Sequence, residues 1–150
     1  MADEPLTGQV GIGHTRWATH GEPTVANAHP HLAGPVMVVH NGIIENFRSL
    51  REELAGTGFA CTTETDSETI AQLIATNMAA GANPQEAVKQ ALGRLEGAFA
   101  IAVLFEGEQD LLIGARKGSP LVIGVGEDEM FLGSDAVSYT HLTLPTILLV

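Results

Sequence analysis

Three short stretches gather the residue types that could do chemistry. Residues 13–21 read GHTRWATHG and bring His14, Arg16, the chain's one tryptophan (Trp17), Thr19 and His20 together between glycines. An arginine in such a loop can offer a planar fork to a carboxylate, and its plainer use is a surface salt bridge. Residues 40–42 read His-Asn-Gly. Asn41 and Gly42 are most simply a tight turn, and their chemical reading is an amide and a backbone N–H aimed at a developing oxyanion. In TETDSET, residues 63–69, Asp66 is fully accounted for as part of a helix start. Five of the six histidines (His14, His20, His29, His31, His40) lie between positions 14 and 40, which raises a metal site. No HExxH, cysteine pair or carboxylate at ligand spacing accompanies them. Loop histidines bonded to backbone groups are therefore expected, with no metal.

The elements around these stretches follow from period and punctuation. QVGIGHTRW reads as a short strand emptying into a loop, and residues 19–34, full of turn formers, read as one long connection. Residues 35–40 (PVMVVH) read as a buried strand that ends in a tight turn at Asn41-Gly42. From Ile43 the apolar positions Ile43, Phe47, Leu50 and Leu54 predict an amphipathic helix stopped at Gly56. Thr65 with Glu68 has the capping-box spacing, and Ile70, Leu73, Ile74 and Met78 supply one face of the helix it opens. Asn83-Pro84 opens another, with Val88, Ala91, Leu92 and Leu95 at core spacing. Beyond Gly97 the runs AFAIAVLF, DLLIGAR, SPLVIGVG and EMFLGSD, separated by short turns, predict an antiparallel meander. Strands, helices, then strands describe an α+β layered domain.

The 150 residues suit one domain, in which roughly two thirds of the unfolded surface can be buried. Hydrophobic residues at 45% and charged residues at 17% are globular proportions. Eighteen acidic against seven basic residues give a net charge of −11, which disfavours nucleic acid and anionic membranes as partners. The lone cysteine, Cys61, cannot form an internal disulfide, and no secretory leader pattern opens the chain, so a cytoplasmic location is expected. No apolar run approaches the ~20 residues of a membrane helix. The last stretch, SYTHLTLPTILLV, is uncharged and apolar. As an unpaired terminal strand it would be an aggregation hazard.

The blocks GHTRWATHGEPTVANAHPH, VVHNGIIENFRSLREEL, TETDSETIAQLI, GAFAIAVLFEG and ARKGSPLVIGVGEDEMFLGSD, in this order, resemble the class II glutamine amidotransferases. Within them, the likeness is to the glutaminase half of the glutamine:fructose-6-phosphate aminotransferases, the glucosamine-6-phosphate synthases. It runs from about Val10 to Asp135, with an amidophosphoribosyltransferase-like domain as the alternative within the class. The resemblance implies an N-terminal-nucleophile hydrolase fold (αββα layered antiparallel sheets, here incomplete), glutamine as substrate and no cofactor. It implies Arg16 on the glutamine carboxylate, Asp66 on its ammonium, Thr19 and His20 shaping the pocket, Asn41 and Gly42 as oxyanion hole, and Trp17 gating or packing along the ammonia route. It further implies a homo-oligomeric parent whose isomerase domain takes fructose 6-phosphate.

Family members open on a cysteine that is the nucleophile, whereas this chain opens Met-Ala-Asp-Glu. Cys61 lacks the activating α-amine, so the expectation is an inactive fragment, or a non-catalytic glutamine-binding module. The expected organisation is a disordered or non-family start at 1–9, a partial amidotransferase domain at 10–136 and a non-native tail at 137–150, with marginal stability and aggregation where sheet faces lie uncovered.

Overall fold

The computed structural model describes residues 8–16, 20–135 and 146–149, the last of these by backbone alone. Its centre is a four-stranded antiparallel sheet in the order β1-β2-β3-β4. β1 is His31–Ala33, β2 Val36–Ile44, β3 Gly97–Phe105 and β4 Leu112–Lys117. Side chains alternate across a strand, and the two long central strands use that alternation to face two layers. Val36, Val38 and Ile44 of β2 and Phe99, Ile101, Val103 and Phe105 of β3 join one core with the helices α1 (Phe47–Ala55), α2 (Asp66–Ala79) and α3 (Pro84–Leu92). From the opposite face, Val39, Ala100 and Ala102 look onto a second sheet, ordered β6-β5-β7. Its strands are β5 (Val122–Val125), β6 (Met130–Gly133) and β7 (Thr146–Leu149).

α2 is the buried helix. It lies on β1 and β2 and packs against α1 and α3. Every residue from Asp66 to Ala71 is buried. Its start is half of the expected capping box: Thr65 Oγ1 accepts from Glu68 N at 3.3 Å. The Glu68 carboxylate does not return to Thr65 N. It accepts instead from the backbone N–H groups and hydroxyls of Thr62 and Thr63, at 2.6–3.1 Å. Burial alone would raise the Glu68 carboxyl, but these hydrogen bonds outweigh it and hold the group below its usual range. α3 starts as its sequence states, with Asn83 Oδ1 accepting from Glu86 N at 2.9 Å and Pro84 in the first turn.

Several expectations are corrected. Residues 8–16 form no strand. Repeated glycine and the absence of a pairing partner among the described residues leave them as an irregular approach to Arg16. The connection at 19–34 contains β1, because His31 and Ala33 turn inward while Leu32 is exposed. Asn41-Gly42 is not a turn: β2 continues through both, pairing Asn41 with Ala100 and Gly42 with Phe99. The following helix therefore begins at Phe47 rather than Ile43, and it closes at Gly56, whose N–H bonds the Glu53 carbonyl while the Thr57 N–H bonds that of Leu54. The meander is broken. β3 and β4 pair, as do β5 and β6, but β4 and β5 belong to different sheets. Gly118, at φ +75°, and Pro120 lie between them and turn the chain from one sheet to the other. Residues 146–149 are paired antiparallel with β5, so the apolar end is not an unpaired strand. The remainder of the stretch at 137–150 lies outside the described residues.

Candidate functional site

A cavity of about 1270 Å³ opens between the two sheets. Arg16, His20, Asn41, Gly42 and Asp66, which come from three separate parts of the chain, all line it. Thr19 and Trp17 lie outside the described residues.

The loop that carries Arg16 is held by its own arginine. The residue takes a left-handed backbone (φ +52°). Its guanidinium donates from Nη1 to the Glu22 carbonyl at 2.9 Å and from Nη2 to the carbonyls of His20 and Gly21 at 3.0 and 3.1 Å. Nε and one Nη1 hydrogen have no partner among the described residues, so part of the fork is available to an anion. Asn27, buried, ties this loop to the lead-in of α2. Its amide donates to the Glu22 carbonyl and to Glu64 Oε2 at 3.0 and 2.9 Å, and its Oδ1 accepts from Glu64 N at 3.0 Å. His20 sets its ring edge-on to Phe47, with centroids 5.1 Å apart.

Asp66 is 3% exposed. Its Oδ2 accepts the Ile44 N–H at 2.8 Å, so the carboxylate joins α2 to β2. Helix capping belongs to the neighbouring Thr65. At Gly42 the β3 backbone leaves no room for a side chain. At φ +133° a Cβ there would lie 2.2 Å from the Ala98 carbonyl oxygen, and glycine is required. Asn41, exposed on the strand, presents its amide at the cavity edge.

His29, His31 and His40 meet side-chain hydroxyls where the sequence suggested backbone, whereas His14 makes the expected backbone bond, its Nδ1 accepting the Arg16 N–H at 2.8 Å. Ser67 Oγ lies 3.1 Å from His29 Nε2 and 2.9 Å from His40 Nδ1, and Thr65 Oγ1 lies 3.0 Å from His31 Nε2. His14 stacks on His29 with centroids 4.2 Å apart, and His31 meets His29 at 4.9 Å. Burial, then the neighbouring histidines and Arg16, push His29 down to about 3. Burial likewise pushes His40 down to about 4, against the pull of Asp66, whose Oδ2 is 4.0 Å from His40 Nδ1. Burial also lowers His14 and His31. These rings are neutral at pH 7, which suits hydrogen bonding to hydroxyls. Among the described residues no group of three or more His, Cys, Asp or Glu is arranged to hold a metal ion.

Cys61 is not among the residues lining the cavity. It is half-buried, its Sγ is 3.9 Å from Thr69 Oγ1, and burial raises its thiol. That environment disfavours the thiolate, the nucleophilic form of the group. Among the described residues, no helix is long and apolar enough to cross a membrane.

Sequence reasoning passed over Ser67, Asn27 and Arg51. Arg51 holds the lead-in to α2 through the carbonyls of Thr63 and Thr65 and through Thr69 Oγ1. One signal was available for the histidine network. His40 continues the inward alternation of Val36 and Val38, so its ring had to meet whatever helix covers that face.

Comparison with known proteins places this geometry in a family. The profile described as a glutamine amidotransferase domain matches residues 14–140. The glutamine–fructose-6-phosphate aminotransferase (isomerizing) of Caulobacter vibrioides is 62% identical over 143 residues, and that of Zymomonas mobilis is 59% identical over the same length. In both cases the match covers 95% of this chain and 24% of the relative. The chain thus spans about a quarter of the length of the curated relatives it matches. Among solved structures, the glutamine phosphoribosylpyrophosphate amidotransferase from B. subtilis superposes with a TM-score of 0.73 at 24% identity, covering 90% of this chain and 29% of that one. A structure titled as the allosteric regulatory enzyme of purine biosynthesis gives 0.70 at 23%, covering 83% and 27%. The fold is therefore that of the class II amidotransferases, an α+β N-terminal-nucleophile hydrolase fold present in part. The chain belongs to the glutamine amidotransferase domain family, and the stretch it spans matches the glutaminase region of the glutamine–fructose-6-phosphate aminotransferases.

Proposed function

We propose that residues 10–136 form the glutamine-binding part of a glutaminase domain from an enzyme that moves the glutamine amide nitrogen to fructose 6-phosphate, giving glucosamine 6-phosphate and glutamate. The observation that carries this reading is that Arg16, Asp66, Asn41 and Gly42 line one cavity. The free donors of Arg16 take the α-carboxylate. Asp66 Oδ1 takes the α-ammonium while Oδ2 stays on Ile44 N. An arginine and an aspartate lining the same cavity recognise the two charges of an amino-acid zwitterion in one orientation, with His20 and Thr19 proposed as pocket wall. That orientation leaves the side-chain carboxamide for Asn41 and the Gly42 N–H, which would stabilise the oxyanion formed when a nucleophile attacks. Such donors are worth about 10²–10³ in rate each. The role proposed for Trp17, which lies outside the described residues, is gating or packing along the path of the released ammonia.

The chain's sole cysteine lies away from this cavity, and the α-amine-bearing cysteine implied by the family is not among these residues. Binding without turnover is therefore the activity proposed for this chain. Transfer to fructose 6-phosphate and homo-oligomer assembly belong, in this reading, to the remaining length of the relatives.

Isothermal titration with glutamine tests it. Saturable one-site binding that is lost in Arg16→Ala and in Asp66→Ala, with no glutamate released on incubation, is the expected result. Heats indistinguishable from dilution in the parent chain would sink the binding reading, and glutamate release would sink the proposed absence of turnover.

A further inference from the structure

Ser67 has one hydroxyl proton and two imidazole neighbours, His29 Nε2 at 3.1 Å and His40 Nδ1 at 2.9 Å. Asp66 Oδ1 is a third neighbour, at 3.5 Å; a hydroxyl donates once, and because the two ring contacts are the shorter ones its proton goes to one ring while the other ring donates an N–H to it. The Asp66 carboxylate, 4.0 Å from His40 Nδ1, favours the proton on that nitrogen. His40 therefore donates from Nδ1 to Ser67, Ser67 donates to His29 Nε2, and the His29 proton sits on Nδ1. The far nitrogens, His40 Nε2 and His29 Nδ1, are buried and have no partner among the described residues, so the assignment leaves the His29 Nδ1–H as an unpaired donor whose cost the bond from Ser67 must offset. Beyond His29 the chain of contacts continues. Its ring stacks on His14 at 4.2 Å, and His14 Nδ1 accepts the Arg16 backbone N–H at 2.8 Å. One continuous path thus joins Asp66, at the start of α2, to the backbone of Arg16.

We propose that Ser67 is a positioning residue that, by fixing the tautomers of His29 and His40, sets the Arg16 loop in register with Asp66. The proposal rests on the reading that Arg16 and Asp66 grip the two charges of glutamine. Those charges sit on one carbon atom, so the two anchors must be held to within about 0.5 Å for both to engage. The loop around Arg16 has no strand or helix to supply that precision. The path through Ser67 supplies it together with the Asn27–Glu64 tie.

Long-range ¹H–¹⁵N correlation spectra of the histidine-labelled chain read the tautomers directly. Both His29 and His40 should be Nδ1–H forms, and in Ser67→Ala at least one should revert to Nε2–H. Calorimetry supplies the second measurement. Ser67→Ala should weaken glutamine about tenfold, the size of one lost hydrogen bond in a buried network. It should leave 4-carbamoylbutanoate, which lacks the α-amino group, bound as in the parent, because a ligand anchored at one end needs no register. Ser67→Thr, which keeps the hydroxyl, should restore glutamine. His29→Phe keeps the ring stack but removes the Nε2 acceptor, and should reproduce the loss if Ser67→Ala folds poorly. Unchanged tautomers in Ser67→Ala, or equal weakening of glutamine and the analogue, would overturn the proposal. A parent chain that binds no glutamine would instead defeat the underlying binding reading, while the spectra still decide whether Ser67 sets the two tautomers.

Discussion

His40 occupies a position on β2 where alternation calls for an apolar side chain, between Val38 and Ile44 on the face that α2 covers. The imidazole is tolerated because α2 offers Ser67 and Asp66 there rather than another leucine. Burial, opposed by Asp66, leaves the folded ring near 4 against an ordinary 6.5. Below 6.5 the unfolded chain takes up a proton that the folded ring refuses. Stability is thus complete above that value and falls as the pH drops towards 4. We expect His40 to cost about 1 kcal/mol by about pH 5.5, with His29 adding in the same direction. Chemical denaturation between pH 7.5 and 5 checks this: His40→Asn should have the shallower slope, and parallel slopes would refute it. The histidine cluster was visible in the sequence as a count between positions 14 and 40. Its partners were not, because Ser67 and Thr65 are distant in sequence and meet the rings only once α2 lies on β1 and β2.

At the scale of elements, the Asn41-Gly42 pair shows what a local signal can and cannot carry. An Asn-Gly pair announces a positive φ, and Gly42 has one, at +133°. The inference from positive φ to a turn fails because β3 stands ready to pair on through both residues. Gly97 is the matching device on β3, at φ +110°, where a Cβ would lie 2.3 Å from the Ile43 carbonyl oxygen. The two glycines let β2 and β3 close on each other beside the cavity. Gly42→Ala combines backbone strain with a clash against Ala98 backbone, and we expect it to cost roughly 3 kcal/mol and to abolish glutamine binding. Urea unfolding measures the first. A loss within about 0.5 kcal/mol, the range of an ordinary surface substitution, would mean that the strands part easily there. By contrast, the starts of α2 and α3 were legible almost to the residue, since a cap is a local bond within one turn.

For the whole molecule, the uneven division of apolar side chains decides where it opens first. One face of the central sheet shares a continuous core with all three helices. Among the described side chains, the second sheet contributes one buried apolar residue, Val122, from the four-residue strands β5 and β6, and it faces the first across a cavity of about 1270 Å³. The sequence showed four apolar runs and so suggested one meander. That β4 and β5 separate into two sheets depends on packing across the domain, which no short run records. Cooperative units open with free energies that follow their buried contacts. We therefore expect hydrogen exchange to protect the amides of Val38 to Val39 and Ile101 to Val103 to the global limit, while those of Ile123 and Leu132 exchange through a cheaper opening of the second sheet. Glutamine at saturation should slow exchange at Asn41, Gly42 and Asp66 without raising protection at Ile123 to the global limit. Equal protection in both sheets would show that the inter-sheet contact, including the close approach of Leu132 to Gly114, binds the layers into a single unit. The cavity would then be a rigid feature of the domain.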